Sequence, residues 1–139
     1  MMVSTKGRYA LRVMIDLAEH NQGQYIPSRD IAGRQMISEK YLESILATLT
    51  RAGLLQGVRG KGGGYRLTRP PETYSVGEIV RAAEDSIAPV SCLEQGASCS
   101  NAGECRMLPV WQGLDAVVNE YLDSVPLISL VREEPAEEV

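Results

Sequence analysis

Residues 37–71 read ISEKYLESILATLTRAGLLQGVRGKGGGYRLTRPP, and the hydrophobic pattern changes period midway. In the first half Tyr41, Leu42, Ile45, Leu46 and Leu49 recur at helical spacing, behind Ser38 as a plausible N-cap and Glu39 at the positive end of the helix dipole. Gly53 ends that run. In the second half apolar residues alternate on either side of a glycine-rich tip, the pattern of two antiparallel strands joined by a tight turn.

Upstream, Ala10, Val13, Met14, Leu17 and Ala18 form one stripe of an amphipathic helix over residues 5–20, and NQGQYIPS breaks it. Pro27 or Ser28 opens a short second helix, RDIAGRQ, and MIS connects it tightly to the helix that begins after Ser38. Two helices at that spacing make a helix-turn-helix, and with the hairpin they predict a winged helix. The fold class expected is mainly α with one small β-hairpin.

Downstream, Ser75-Val-Gly-Glu78 has the form of a capping box for a fourth helix running to about Ser86. A loop rich in Gly, Ser and Asn follows, and Pro109 then suits the first turn of a long helix carrying Leu114, Val117, Val118, Tyr121 and Leu122. That stripe needs cover, either from a second copy of the chain or from its own winged helix. The expected organisation is a winged helix-turn-helix over 1–87, a cysteine loop over 88–108, a dimerisation helix with a short terminal element over 109–131, and an acidic disordered tail over 132–139.

The net charge of −4 conceals a division along the chain. Residues 1–70 carry three Lys and eight Arg against five acids, whereas residues 71–139 carry three Arg against thirteen acids. A basic half suits a polyanion, and an acidic half is held off it. No segment has the apolar length of a membrane span and the first residues lack a signal peptide's apolar core, so the expectation is a cytoplasmic protein with no membrane partner.

If the basic half meets double-stranded DNA, the recognition helix offers Ser38, Lys40 and Glu43 to base edges and phosphates. Glu43 is the unusual member, because a carboxylate in a groove lined by phosphate is repelled unless it accepts from a cytosine amino group. Arg59 and Lys61 flank the wing glycines, where a thin cationic finger fits a narrow minor groove; Arg66 lies nearby. Lys6, Arg8 and Arg12 line the start of the first helix, where side chains and N–H groups could clamp a phosphate. A nucleotide-binding P-loop is excluded because GxxxxGK[ST] is absent; a purely structural glycine turn stays open. Nothing suggests an enzyme.

The chain has three cysteines, Cys92, Cys99 and Cys105, separated by six and five residues. Zinc sites pair cysteines more closely, catalytic redox pairs need C-x-x-C, and the inferred compartment disfavours structural disulfides. Thiolates spread through a loop can wrap an iron–sulfur cluster, with a fourth ligand from elsewhere.

The segments STKGRYALRVMIDLA, ISEKYLESILATLTRAGLL, VRGKGGGYRL and YSVGEIVRAAE, together with the three-cysteine loop, resemble the IscR-type iron–sulfur-sensing transcriptional regulators and their NsrR- and CymR-like relatives. The resemblance covers residues 1 to about 131. It implies a homodimer paired through the long C-terminal helix, with one cluster per subunit, usually [2Fe–2S], and control of iron–sulfur biogenesis genes, with assembly proteins as further partners. It makes Cys92, Cys99 and Cys105 cluster ligands, Arg59 a wing contact, and Lys40 and Glu43 recognition residues, Glu43 helping to exclude one class of site when the cluster is absent. The chain departs from the pattern in two places. The first two cysteines are one residue further apart than is common, and Leu108 stands where IscR-like members place a histidine ligand. Glu43, Glu94, Glu104 and His20 are the remaining candidates for the fourth ligand, since Arg8 occupies the position of the NsrR-like carboxylate. A CymR-like regulator that answers to a protein partner, and an NsrR-like nitric oxide sensor, are the alternative implications.

Overall fold

The computed structural model describes residues 3–20, 23–89, 93 and 106–132. Cys92, Cys99, Cys105, Glu94 and Glu104, and the acidic tail from residue 133, lie outside the described residues.

Helix α1 spans Thr5–Glu19, and the Ser4 side chain accepts from the Gly7 N–H to start it. Its stripe is buried as its spacing requires, with Ala10, Val13 and Met14 fully sealed. Helix α2, Ser28–Gln35, follows Pro27, and α3, Glu39–Arg51, follows Ser38, whose hydroxyl oxygen accepts from the Tyr41 N–H at 3.1 Å. Between them Met36 turns the chain in a left-handed conformation, φ 56° and ψ 47°. Leu42, Ile45, Leu46 and Leu49 of α3 close over Leu17 and Ile31 in one core.

Strands β1, Leu55–Val58, and β2, Gly64–Leu67, pair antiparallel with Leu55 opposite Leu67. The Tyr65 backbone also exchanges both hydrogen bonds with Ile26, at 2.9 and 2.8 Å, so the wing is pinned to the segment leading into α2. Gly64 is needed there, because at φ 149° a Cβ would drive into the Ile26 carbonyl. Tyr74 seals the wing's other end: its hydroxyl donates to Leu54 O at 2.8 Å and accepts from Thr68 N–H at 3.0 Å.

Helix α4 runs from Val76 to Ala83, three residues shorter than the sequence pattern indicated, because the backbone turns extended at Glu84 (φ −101°, ψ 147°). Only one arm of the expected capping box carries over: Ser75 Oγ accepts from Glu78 N–H, while the Glu78 carboxylate goes to Arg69. Helix α5, Leu108–Ser124, begins one residue before Pro109. One of its edges packs on α4, where Leu122 and Val125 meet Val76, Val80 and Ile87, and Arg81 reaches Asn119 and Asp123. The other edge carries exposed Met107, Val110, Leu114, Val117 and Tyr121. The anticipated stripe is thus divided, with Val118 and Leu122 half-buried and Leu114, Val117 and Tyr121 bare.

The chain then returns to the first core. Leu127, in a 3₁₀ turn over Leu127–Leu130, is fully buried beside α1, and its N–H donates to Tyr74 O at 2.8 Å. Among the described residues no helix is long and apolar enough to cross a membrane.

Candidate nucleic-acid interface

The helix-turn-helix is held by one buried carboxylate. Asp16 is 1% exposed and accepts from Arg34 Nη2 at 2.7 Å, Arg34 Nε at 2.9 Å and Gln35 Nε2 at 2.9 Å. The Asp16 hydrogen bonds raise the Arg34 pKa above its ordinary value, outweighing the partial burial that would lower it. Gln35 is gripped from its other side by Arg12, which donates to the Gln35 side chain and backbone carbonyl, each at 3.1 Å. Arg12 lies over the Tyr9 ring at 4.9 Å, and Tyr9 meets Tyr41 of α3 edge to face. This chain of contacts ties the end of α2 and the face of α3 to α1.

With α3 fixed in this way, Ser38, Glu39, Lys40, Glu43 and Ser44 stand exposed along its outer edge. The wing tip faces the start of that edge: Glu39, Arg29 and the Gly60–Gly63 turn with Lys61 line one cleft of ≈ 600 Å³. Arg59 and Arg51 share a second hollow of ≈ 320 Å³ with Ala47 and Tyr65. Recognition edge and wing are therefore continuous, with cations at both ends.

The arginines divide into two groups. Arg12 and Arg34 are spent inside the fold. So is Arg66, which donates to Gln56 Oε1 at 3.3 Å and lies over Tyr25 at 4.4 Å. Arg69 is held by Glu78, which raises its pKa, and lies over Tyr74. Lys6, Lys40, Arg59 and Lys61 have no carboxylate within ion-pair reach among the described residues, and Arg8 has only Thr5 Oγ1 at 3.3 Å. Arg12 and Arg66, which the sequence also placed near the DNA-facing surface, thus carry contacts within the fold, while Arg29 and Arg51 stand exposed beside the two clefts, Arg29 4.0 Å from Asp30 and Arg51 donating to Thr48 Oγ1 at 3.4 Å. Neither had a local signal: Arg29 sits beside Asp30 at the start of a helix and Arg51 in an ordinary last turn.

The N-terminus of α1 is also different from expectation. Its cap groups are taken by an internal acid, because Ser4 N–H and Ser4 Oγ both donate to Glu84 Oε1, at 2.7 and 2.6 Å. Lys6 and Arg8 retain their side chains for an anion; the Ser4 amide is already occupied.

Among the described residues no group of three His, Cys, Asp or Glu side chains is placed to hold a metal ion. Three cysteines in a 14-residue stretch fit the thiolate preference of an iron–sulfur cluster. Leu108 opens α5 and offers no donor. His20 caps the far end of α1, its Nδ1 2.8 Å from the Asp16 carbonyl, and Glu43 lies on the exposed edge of α3. A cleft of ≈ 290 Å³ at the root of the cysteine segment brings Glu84, Asp85 and Asp115 near Leu93.

Residues 3–133 match the Rrf2 family, described as iron-dependent transcriptional regulators. The chain is similar to the HTH-type transcriptional regulator IscR of Vibrio cholerae, 35% identical over 139 residues that span the whole chain and 80% of that protein. Its fold is similar to that of CymR, the global cysteine regulator of B. subtilis, at a TM-score of 0.74 and 36% identity, covering 94% of this chain and 95% of that one. It is also similar to T. potens IscR, at a TM-score of 0.70 and 37% identity, covering 94% and 85%.

Proposed function

Because the chain belongs to the Rrf2 family of transcriptional regulators, which are not enzymes, we propose that it is a homodimeric DNA-binding protein whose choice of site is switched by an iron–sulfur cluster, most simply [2Fe–2S]. The observation that carries this reading is the continuous edge formed by α3 and the wing, where Lys40, Arg59 and Lys61 have no carboxylate within ion-pair reach among the described residues. Residues 1–87 form the reading head, 88–108 the sensor loop and 109–131 the pairing element.

At the head, Lys40 donates to guanine edges or phosphate, and Ser38, whose oxygen is engaged by Tyr41 N–H, still has its hydroxyl hydrogen to donate. Glu43 accepts from a cytosine amino group and repels sequences that lack one. Arg59 enters a narrow minor groove while Lys61, Lys6 and Arg8 meet phosphates. Pairing of two heads uses the bare edge of α5. Met107, Val110, Leu114, Val117 and Tyr121 alternate steps of three and four residues, the seam of a two-helix coiled coil, and a second copy covers it.

Cys92, Cys99 and Cys105 hold the cluster, with a carboxylate as the fourth donor in place of the histidine that Leu108 replaces. When bound, the cluster supplies a centre sensitive to oxidants and iron supply, whose presence or loss biases the loop between two arrangements. The loop root then passes that bias to the head.

The test is anaerobic purification with iron and sulfide analysis, followed by selection of a duplex from a random-sequence pool by the loaded and the stripped protein. Cys92→Ala is expected to abolish iron and to change the selected sequence; identical sequences from both forms would end the switch reading. A second reading, a cluster-free regulator that answers to a protein partner, is favoured by Leu108. It requires colourless protein with no bound iron.

A further inference from the structure

The outer face of α3 continues past the residues already assigned to DNA. Lys40, Glu43, Ser44, Ala47 and Arg51 recur at steps of three, one, three and four residues, and all of them are exposed. That spacing puts them in one stripe along the helix. At about 1.5 Å per residue, Arg51 stands about 10 Å beyond Ser44 along the axis. A major groove is about 12 Å wide, so a helix that sets Lys40 to Ser44 against base edges carries Arg51 out to the wall of phosphates.

The hollow beside Arg51 is the gap between α3 and the wing, with Ala47 and Arg51 on the helix side and Val58 and Arg59 on the wing side. Tyr65 also lines it, and Gly57 lets that ring lie close against β1, where a Cβ would come within 2.8 Å of it. The Thr50 hydroxyl is turned back on its own helix, donating to Leu46 O at 2.7 Å. Arg51 meets only the Thr48 hydroxyl, at 3.4 Å, and neither arginine has a carboxylate within ion-pair reach among the described residues. Two guanidiniums thus share one hollow with no acid to balance them. An anion supplies that balance.

Each strand of a duplex is the wall between a major and a minor groove. If α3 lies in one groove and Arg59 enters the next, a sugar–phosphate strand has to run between helix and wing, and the hollow is where it passes. We propose that Arg51 binds this shared strand: its guanidinium donates to a phosphate in the hollow and fixes the register of α3 in one groove against Arg59 in the other. The inference rests on the DNA-binding reading above and needs no cluster. Such a contact positions the protein and carries no base preference of its own. Arg51 also offsets the negative carbonyl end of α3, which would otherwise face the strand. A cation that only steadied the helix end would show in folding stability and leave the salt dependence of binding unmoved.

The full chain is titrated against a duplex that it selects from a random pool, and against an unrelated duplex, between about 50 and 200 mM salt. Arg51→Ala should weaken both duplexes by about tenfold, the low end for a hydrogen bond to a charged group, and lower the salt slope by about 0.9. Arg51→Lys, which keeps the charge but not the planar fork, should keep the slope and recover part of the affinity. Replacing one phosphate at a time by neutral methylphosphonate then locates the contact. At one position, on the strand between the two grooves, the replacement should weaken the wild type and leave Arg51→Ala unaffected. An unchanged salt slope in Arg51→Ala, or the absence of any phosphate whose neutralisation is felt by the wild type and not by the variant, would overturn the proposal while the wild type still binds. A wild type that selects no duplex would overturn the DNA-binding reading itself.

Discussion

Asp16→Ala removes the acid that joins α1 to the helix-turn-helix, and its cost can be worked from the geometry. The carboxylate is 1% exposed and loses three hydrogen bonds, two of them from a guanidinium. Removing one partner of a buried ion pair costs roughly 3–5 kcal/mol. Arg34 is 35% exposed along its side chain and can turn to water once released, which lowers the expectation to about 2–3 kcal/mol. With an unfolding entropy of about 2.1 cal/mol/K for each residue, the melting temperature should fall by roughly 7–10 °C. Calorimetry at fixed protomer concentration measures it, since the proposed pairing would make the midpoint depend on concentration. The Arg34 pKa is raised in the fold, so its contribution is complete below the unfolded value and is lost only as pH rises through the folded one. Both lie far above neutrality, and because His20 Nδ1 also stands 3.7 Å from the Asp16 carboxylate, the loss in Asp16→Ala should be constant in a window above the ordinary histidine range, from about pH 8 to 9. A fall below about 3 °C, or one that varies across that window, would refute the claim that this pair holds the reading helices.

Met36→Gly should stabilise the protein by up to about 1 kcal/mol in urea titrations, because a left-handed non-glycine residue costs roughly 1–2 kcal/mol and glycine returns part of that as unfolded-state entropy. Val117→Asp puts a charge in the middle of the bare α5 seam, which faces water in the single chain, and should shift sedimentation from dimer to monomer while leaving the circular dichroism spectrum unchanged. Arg59→Ala should weaken binding to the selected duplex and relax the preference for sequences with a narrow minor groove, with the fold intact, as a repeat selection and circular dichroism would show.

Much of the fold could be read in the chain because its signals are short-ranged. Ser4, Ser38 and Ser75 cap helices through hydrogen bonds three residues long, and the stripe from Ala10 to Ala18 buries the face that its spacing demands. The exposed edge of α3, from Ser38 to Ser44, follows from the same periodicity. The end of α4 was harder to read, since nothing near Glu84 in sequence says that its side chain will cross to a residue eighty positions away.

The sequence by itself determined the helices, the glycine wing, the three thiols and the sign of charge in each half, all of which depend on neighbours within a turn or on composition. Only the tertiary structure decided which cations stay free. An arginine's long side chain reaches partners far along the chain, as Arg34 reaches Asp16 and Arg12 reaches Gln35, and no local pattern records that choice. It also divided the α5 stripe, because a helix presents its whole circumference and only the place where α4 lies against it determines which edge stays exposed.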